Sequence, residues 1–157
     1  MLDIQKVTTE GAALESIKQL FKAYATELNE DLCFQSFDAE LNNPLYKYSA
    51  PTGALFIAYH NASPVGCIAL QALQEAQTCE MKRLYVVPDY RKLKIGDALV
   101  QALLVEAQTL GYSTMKLDTL ERLQPAIKLY IKYGFETVNA YYKNPLPGVV
   151  YMQKELH

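Results

Sequence analysis

Five basic residues, Lys82, Arg83, Arg91, Lys92 and Lys94, fall between positions 82 and 94 against a single acid, Asp89. The chain as a whole carries a formal net charge of −2, so this is a local positive excess on a slightly acidic molecule. Such a distribution suits a small anionic ligand better than a polyanion or an anionic membrane. At its centre lies Val86-Val87-Pro88-Asp89-Tyr90-Arg91-Lys92-Leu93-Lys94-Ile95-Gly96, a segment that joins an expected strand to an expected helix. A helix N-terminus leaves its first amides unpaired and carries a partial positive charge, so a loop entering it can hold a phosphate. Arg91, Lys92 and Lys94 add charge at the same place. On spacing alone, a solvated basic connector is an equally good reading. Histidine chemistry is not expected, because His60 falls in a turn and His157 at the last position. Cys33, Cys67 and Cys79 are scattered, without metal-ligand spacing, and read as small hydrophobes in a reducing cytoplasm.

The elements around this segment follow from periodicity. Residues 2–7 read as a short strand. Leu14, Ile17, Phe21, Tyr24 and Leu28 recur at spacings of three and four, which predicts an amphipathic helix from Ala12 to Leu28. Residues 30–50 mix aromatics with acids and suggest a loop with one short helix near Asp38–Leu41. ALFIAYH and VGCIALQAL, separated by the turn-prone 60–64, form a hairpin, and Thr78–Val87 adds a third strand that Pro88 stops. Then come a helix from Ile95 to Leu110 closed by Gly111, a strand at Thr114–Thr119, and a helix over Pro125–Tyr133 closed by Gly134. Strands at Phe135–Tyr142 and Val149–Glu155 complete an α/β chain: a mixed sheet of six to seven strands with helices on both faces. With 157 residues, half of them apolar, and no repeat or linker, one domain over residues 1–157 is expected.

CEMKRLYVVPDYRKLKIGDALV resembles the central motif of the GNAT superfamily of acyl-CoA-dependent N-acetyltransferases. AIKLYIKYGF resembles that family's second signature helix, and the order of elements agrees along nearly the whole chain. The resemblance implies a GNAT-like fold and acetyl-CoA as co-substrate, with no metal. It puts the pyrophosphate on Arg91, Lys92, Leu93, Lys94, Ile95, Gly96 and Asp97, and the thioester along Leu84, Tyr85 and Val86. Glu80, eleven residues before Arg91, takes the place of the catalytic base found in some members. Strand alternation would put it on one face with Lys82, Leu84 and Val86. A water-mediated base, with Glu80 merely paired to Lys82 or Arg83, is left open. Tyr130 takes the place of the tyrosine that touches the cofactor and protonates the leaving thiolate. Lys94 stands where the family usually has glycine; it is expected in the first helical turn, where lysine costs little. Leu123 stands where an asparagine is common, and Asp97 is expected to cap the helix dipole.

The implied activity is acetyl transfer to a primary amine of a small molecule or peptide, and the alternative is a non-catalytic acyl-CoA-binding regulatory domain. Phe34, Phe37, Tyr46, Tyr48, Tyr141 and Tyr142 are the aromatics expected near the amine, whose identity the sequence does not give. A nucleic-acid module is disfavoured by the acidic remainder. No membrane partner is expected, because no apolar run reaches spanning length, and the N-terminus carries no visible leader. The expected setting is the cytoplasm, and a homodimer is compatible with the sequence.

Overall fold

The computed structural model describes residues 1–157. Its elements in chain order are β1 (Leu2–Lys6), α1 (Ala12–Leu28), α2 (Phe37–Asn42), α3 (Pro44–Lys47), β2 (Ala54–His60), β3 (Ser63–Ala72), β4 (Thr78–Val86), α4 (Ile95–Thr109), β5 (Thr114–Leu120), α5 (Gln124–Lys132), β6 (Glu136–Val138) and β7 (Val149–Glu155). Short 3₁₀ turns sit at Cys33–Gln35 and Pro88–Tyr90. All seven strands join one mixed sheet in the order β1-β2-β3-β4-β5-β7-β6. β4 and β5 are its one parallel pair, as expected for two strands joined through a helix.

Two apolar layers cover the sheet. One is built on Leu99, Val100 and Leu103 of α4 with Ile68, Leu70, Met81, Met115 and Tyr130. The other is built on Leu14, Ile17, Leu20 and Phe21 of α1 with Leu55, Ile57, Cys67 and Tyr85. Each of these large apolar side chains contributes about 1.5–3 kcal/mol by full burial. The stripe read from the sequence of α1 is therefore its buried face. All three cysteines are free; Cys67 and Cys79 are buried as anticipated, but Cys33, in the turn before α2, is exposed and is not a core residue. Burial pushes the Cys79 thiol up to about 12.

Two departures in β4 and β5 create the site. The strands pair only over Thr78↔Thr114, Cys79↔Met115 and Glu80↔Lys116, then diverge, although β4 runs on to Val86 and β5 to Leu120. β4 also carries a bulge. Ala69 pairs with Lys82 and Cys67 with Tyr85, so Ile68 faces both Arg83 and Leu84, and Arg83 sits at φ 61°. The extra residue reverses the alternation of side chains. Cys79 and Met81 point into the α4 layer before the bulge, and Leu84 and Val86 do so after it. Glu80 consequently does not share a face with Leu84 and Val86, contrary to the simple alternation expected from sequence.

The end of the chain also differs. The strand expected over Phe135–Tyr142 is only Glu136–Val138. Residues 139–148 leave the sheet because Tyr141 and Tyr142 turn inward onto Glu80 and Asp118, and Asn144 closes a turn by accepting from the Leu146 amide at 2.9 Å.

Candidate active site

Three cavities meet where β4 and β5 separate. A groove of about 360 Å³ runs along Leu84, Tyr85 and Val86, the start of α4 at Gly96 and Asp97, and α5 at Pro125, Ala126 and Leu129, with Tyr24, Glu27 and Leu28 of α1 as its other wall. A narrow throat of about 80 Å³ lies between Met81–Leu84 of β4 and Asp118–Leu120 of β5, with Tyr130 on its wall. A chamber of about 550 Å³ opens beyond, bounded by Phe34, Gln35, Lys47, Gln71, Glu75, Glu80, Lys82, Lys116, Tyr141 and Tyr142. Groove and throat share Tyr24, Leu28, Leu84, Leu123 and Ala126, while throat and chamber share Gln35 and Lys82. The divergence of the two strands therefore makes one path through the sheet.

Donors line the groove end. Val87 N–H donates to Val65 O at 2.8 Å, toward β3. Antiparallel alternation then turns the Leu84 and Val86 amides to the other edge, where β5 has moved away. In the loop, the amides of Lys92 and Lys94 have no backbone acceptor, and the first paired amide of α4 is Ala98, to Lys94 O at 3.2 Å. The Ile95, Gly96 and Asp97 amides thus belong to the unpaired first turn, with its positive dipole end. A Cβ at Gly96 would come within 3.2 Å of Leu129 Cδ2, so glycine lets α4 and α5 close on the groove.

Several expectations about this loop are corrected. Lys94 is not in the helical turn: it is the N-cap residue of α4 in the left-handed region, φ 59°, ψ 29°. A chain that enters the helix from the Tyr90–Leu93 turns reverses there, a geometry glycine adopts freely and lysine does not. Asp97 stands in the first turn of α4, where an acid suits the helix dipole as expected, and its Oδ1 also accepts from Lys132 Nζ and, at 3.0 Å, from Tyr133 Oη, tying α4 to α5. Of the remaining loop residues, Arg91, Gly96 and Asp97 line the groove, whereas Ile95 is buried in the core and Lys92, Leu93 and Lys94 are exposed outside it. Tyr130 lines the throat rather than the groove. Nor is the basic cluster one patch. Lys82 faces the chamber, and Arg83 is buried. Arg91 pairs with Glu27 of α1 at 2.6 Å and donates to Val86 O at 2.8 Å.

Arg83 forms a buried bidentate pair with Glu40 of α2, Nε–Oε2 2.7 Å and Nη2–Oε1 3.0 Å, between the rings of Tyr24 and Phe37. Tyr48 Oη donates to the same carboxylate at 2.9 Å. Burial raises the Glu40 pKa, but the Arg83 hydrogen bonds and charge outweigh it, and the carboxyl lies below its ordinary value.

Glu80 is buried in the chamber, where its carboxylate accepts from Gln71 Nε2 at 2.6 Å and from Tyr141 Oη. Lys82 Nζ stands 4.0 Å from it. Tyr130 packs edge-on to Phe135, at 6.0 Å between ring centroids. Its side chain lines the throat, and burial holds the phenol well above its ordinary pKa. Of the aromatics expected near an acceptor, Phe34, Tyr141 and Tyr142 line the chamber. Phe37 and Tyr48 are core, and Tyr46 is exposed. Sequence reasoning missed Gln35, in the turn before α2, and Lys116 and Asp118, two residues apart on β5, which share no motif. Asp118 accepts from Tyr142 Oη and from Asn144 Nδ2 at 2.8 Å in the throat wall.

Comparison with known proteins agrees with this architecture. The acetyltransferase (GNAT) family profile matches residues 14–135. An uncharacterized N-acetyltransferase of Schizosaccharomyces pombe is 44% identical over 144 residues, covering 91% of this chain and 88% of the relative. An acetyltransferase structure from Streptococcus agalactiae superposes with a TM-score of 0.82 at 21% identity, over 99% of this chain and 98% of that one. PaiA N-acetyltransferase from Thermoplasma acidophilum, solved in complex with coenzyme A, gives 0.75 at 20% identity over 99% of both chains. A seven-stranded sheet opened between its central parallel strands, the signature segments at 79–96 and 126–135, and a family match over most of the length lead to one conclusion: the chain belongs to the acetyltransferase (GNAT) family.

Proposed function

We propose that this chain transfers the acetyl group of acetyl-CoA directly to a primary amine, with the donor in the groove, the acceptor in the chamber and the reaction in the throat. The observation that carries this reading is Tyr130 on the wall of a narrow throat that shares its lining with both larger cavities. Direct transfer needs a donor and an acceptor that approach one carbonyl from separate sides, and it needs water kept out.

In this reading the pyrophosphate lies on the unpaired amides at the start of α4, with Lys92 and Lys94 supplying charge from the rim. The Leu84 and Val86 amides hold the acyl carbonyl and the pantetheine arm. Glu80 takes a proton from the ammonium in the chamber, directly or through a water, and the neutral amine enters the throat. Its nitrogen attacks the thioester carbon, a C–N bond forms, and negative charge on oxygen is met by a β4 amide. The C–S bond then breaks and the thiolate takes the Tyr130 proton, while the attacking nitrogen gives up its second proton to restore the phenol. Burial holds the phenol above its ordinary pKa, which keeps it protonated before the reaction and makes its prompt re-protonation part of the step. We assign the activity to the cytoplasm.

Gly96→Asp places a carboxylate against the proposed phosphate site, while the Leu129 side chain can give way to the new Cβ. The variant should fold, yet lose at least about tenfold in acetyl-CoA affinity by calorimetry and lose CoA release with an amine panel. Unchanged affinity in the folded variant would remove the cofactor from this groove. Wild-type binding without turnover of any amine would leave an acyl-CoA-binding domain instead of an enzyme.

A further inference from the structure

The chamber holds polar groups that the fold itself leaves without partners. Gln35 Oε1 is a buried side-chain oxygen with no hydrogen bond, while the Nε2 of the same amide donates to Tyr142 Oη at 3.1 Å. Gln35 stands where the throat meets the chamber. Lys82 shares that position, with its side chain only 5% exposed. It forms an ion pair with Glu80 at 4.0 Å, beyond hydrogen-bond reach of a carboxylate to which Gln71 and Tyr141 already donate, and it also feels the charge of Asp118. Lys116 lies farther from the throat and nearer the chamber's mouth, over the Tyr141 ring at 5.3 Å, and pairs with the exposed rim acid Glu75 at 3.2 Å. Lys47 adds a third cation, on a carboxylate that Arg83 already neutralises.

A buried ammonium without an acceptor and a buried carbonyl oxygen without a donor are each costly. Burial also draws the Lys82 pKa below the ordinary lysine value, even with Glu80 nearby opposing the shift. An acceptor that was only an amine would satisfy Gln35 but would leave Lys82 with no hydrogen-bond acceptor for its ammonium. A ligand bearing both an amine and a carboxylate satisfies both kinds of group.

We infer that the acceptor is a free amino acid, its amine held by Gln35 Oε1 at the throat and its carboxylate by Lys82 and Lys116 in the chamber. The direction in which the amine points rests on the acetyl transfer proposed above; the pairing of the carboxylate does not. The chamber, at about 550 Å³, lies in the usual range for small-molecule sites, roughly 300–1,000 Å³. Charge-assisted bonds to a carboxylate are about twice as strong as neutral ones, so this end sets specificity.

The test measures acetyl-CoA-dependent CoA release with the twenty protein amino acids and, for each, its carboxamide and its decarboxylated amine. At least one amino acid should be acetylated with kcat/KM about tenfold or more above both neutral counterparts. Lys82→Met should reduce that preference about tenfold, read within the variant as the ratio of kcat/KM for the amino acid to kcat/KM for its neutral counterparts. Should Lys82→Met fail to fold, Lys116→Gln, at a more open position, should reduce the preference about threefold or more. Neutral amines used as well as amino acids would overturn the inference, as would a preference unchanged in both lysine variants. Calorimetry with the same compounds, in the absence of acetyl-CoA, separates this inference from the transfer itself. Carboxylate-dependent binding without turnover upholds the acceptor class and sinks acetyl transfer, whereas neither binding nor turnover with any amino acid overturns the acceptor class.

Discussion

Replacing Lys94 by glycine should stabilise the protein. Lys94 occupies φ 59°, ψ 29° as the N-cap of α4, with no side-chain cap bond, and its side chain is exposed. An L-residue held there costs roughly 1–2 kcal/mol, which glycine removes. Glycine also gives the unfolded chain more freedom, which takes back about 0.4–1 kcal/mol. The balance is a gain of about 0.5–1 kcal/mol, or about 1–4 °C in melting temperature for a chain of this size. Loss of a cation at a helix N-terminus adds a few tenths of a kcal/mol through the dipole. Lys94→Ala shares that last gain but keeps the left-handed residue, so the difference between the two variants isolates the backbone. Urea unfolding of wild type, Lys94→Gly and Lys94→Ala gives the three stabilities directly. Acetyl-CoA titrations on the same samples should show Lys94→Gly binding more tightly than Lys94→Ala, both having lost the charge. A glycine variant no more stable than the alanine variant would refute the strain attributed to this residue.

Two further expectations concern single side chains. Tyr130→Phe keeps the packing against Phe135 and removes only the hydroxyl. It should lower kcat about 10²–10⁴-fold with little change in the KM for acetyl-CoA. Because burial raises the phenol's pKa, the wild-type rate should show no Tyr130-dependent fall on the alkaline side up to about pH 10; near-normal kcat in the variant would take Tyr130 out of the mechanism. Glu40→Gln leaves the Arg83 guanidinium without its counter-charge and should cost about 3–5 kcal/mol at pH 7 by chemical unfolding. The folded Glu40 pKa lies below its unfolded value of about 4.3, so its contribution is complete above that pH and is lost as pH falls through the folded value. Acid sensitivity in that window should therefore be weaker in the variant; an equally steep fall would assign it to another carboxylate.

The elements legible in the sequence are those whose burial is periodic. The stripe of α1, the hairpin of β2 and β3, and α4 and α5 with their glycine stops fall within a residue or two of the expected limits. What escaped reading has a common cause: it depends on dihedrals or on contacts between distant segments. Arg83 and Lys94 adopt positive φ without being glycine, so no residue type announces the bulge or the helix entry. The five-residue basic cluster divides because β4 sends Lys82 and Arg83 to buried partners, leaving the loop fewer free charges than the sequence suggested. Gln35, Lys116 and Asp118 meet only after the sheet forms. The α3 turn at Pro44–Lys47 was missed because so short a helix shows no period.

The bulge at Arg83 makes the reading frame of β4 a functional quantity. Before it, the even-numbered side chains Glu80 and Lys82 face the chamber; after it, the even-numbered Leu84 and Val86 face the α4 layer. Were the bulge to straighten with all its residues kept, plain alternation would return and every later side chain of the strand would change sides at once. Leu84 and Val86 would be thrown toward α1, and the amides now facing the opening would turn toward β3. Deleting the extra residue would instead leave Leu84 opposite Ile68 and the later faces as they are, so what matters is the bulge itself and the contact that holds it. The residue holding the frame is itself pinned from outside the strand, by a carboxylate on α2. A peripheral helix six residues long thus fixes which atoms of the central strand meet each half of the site.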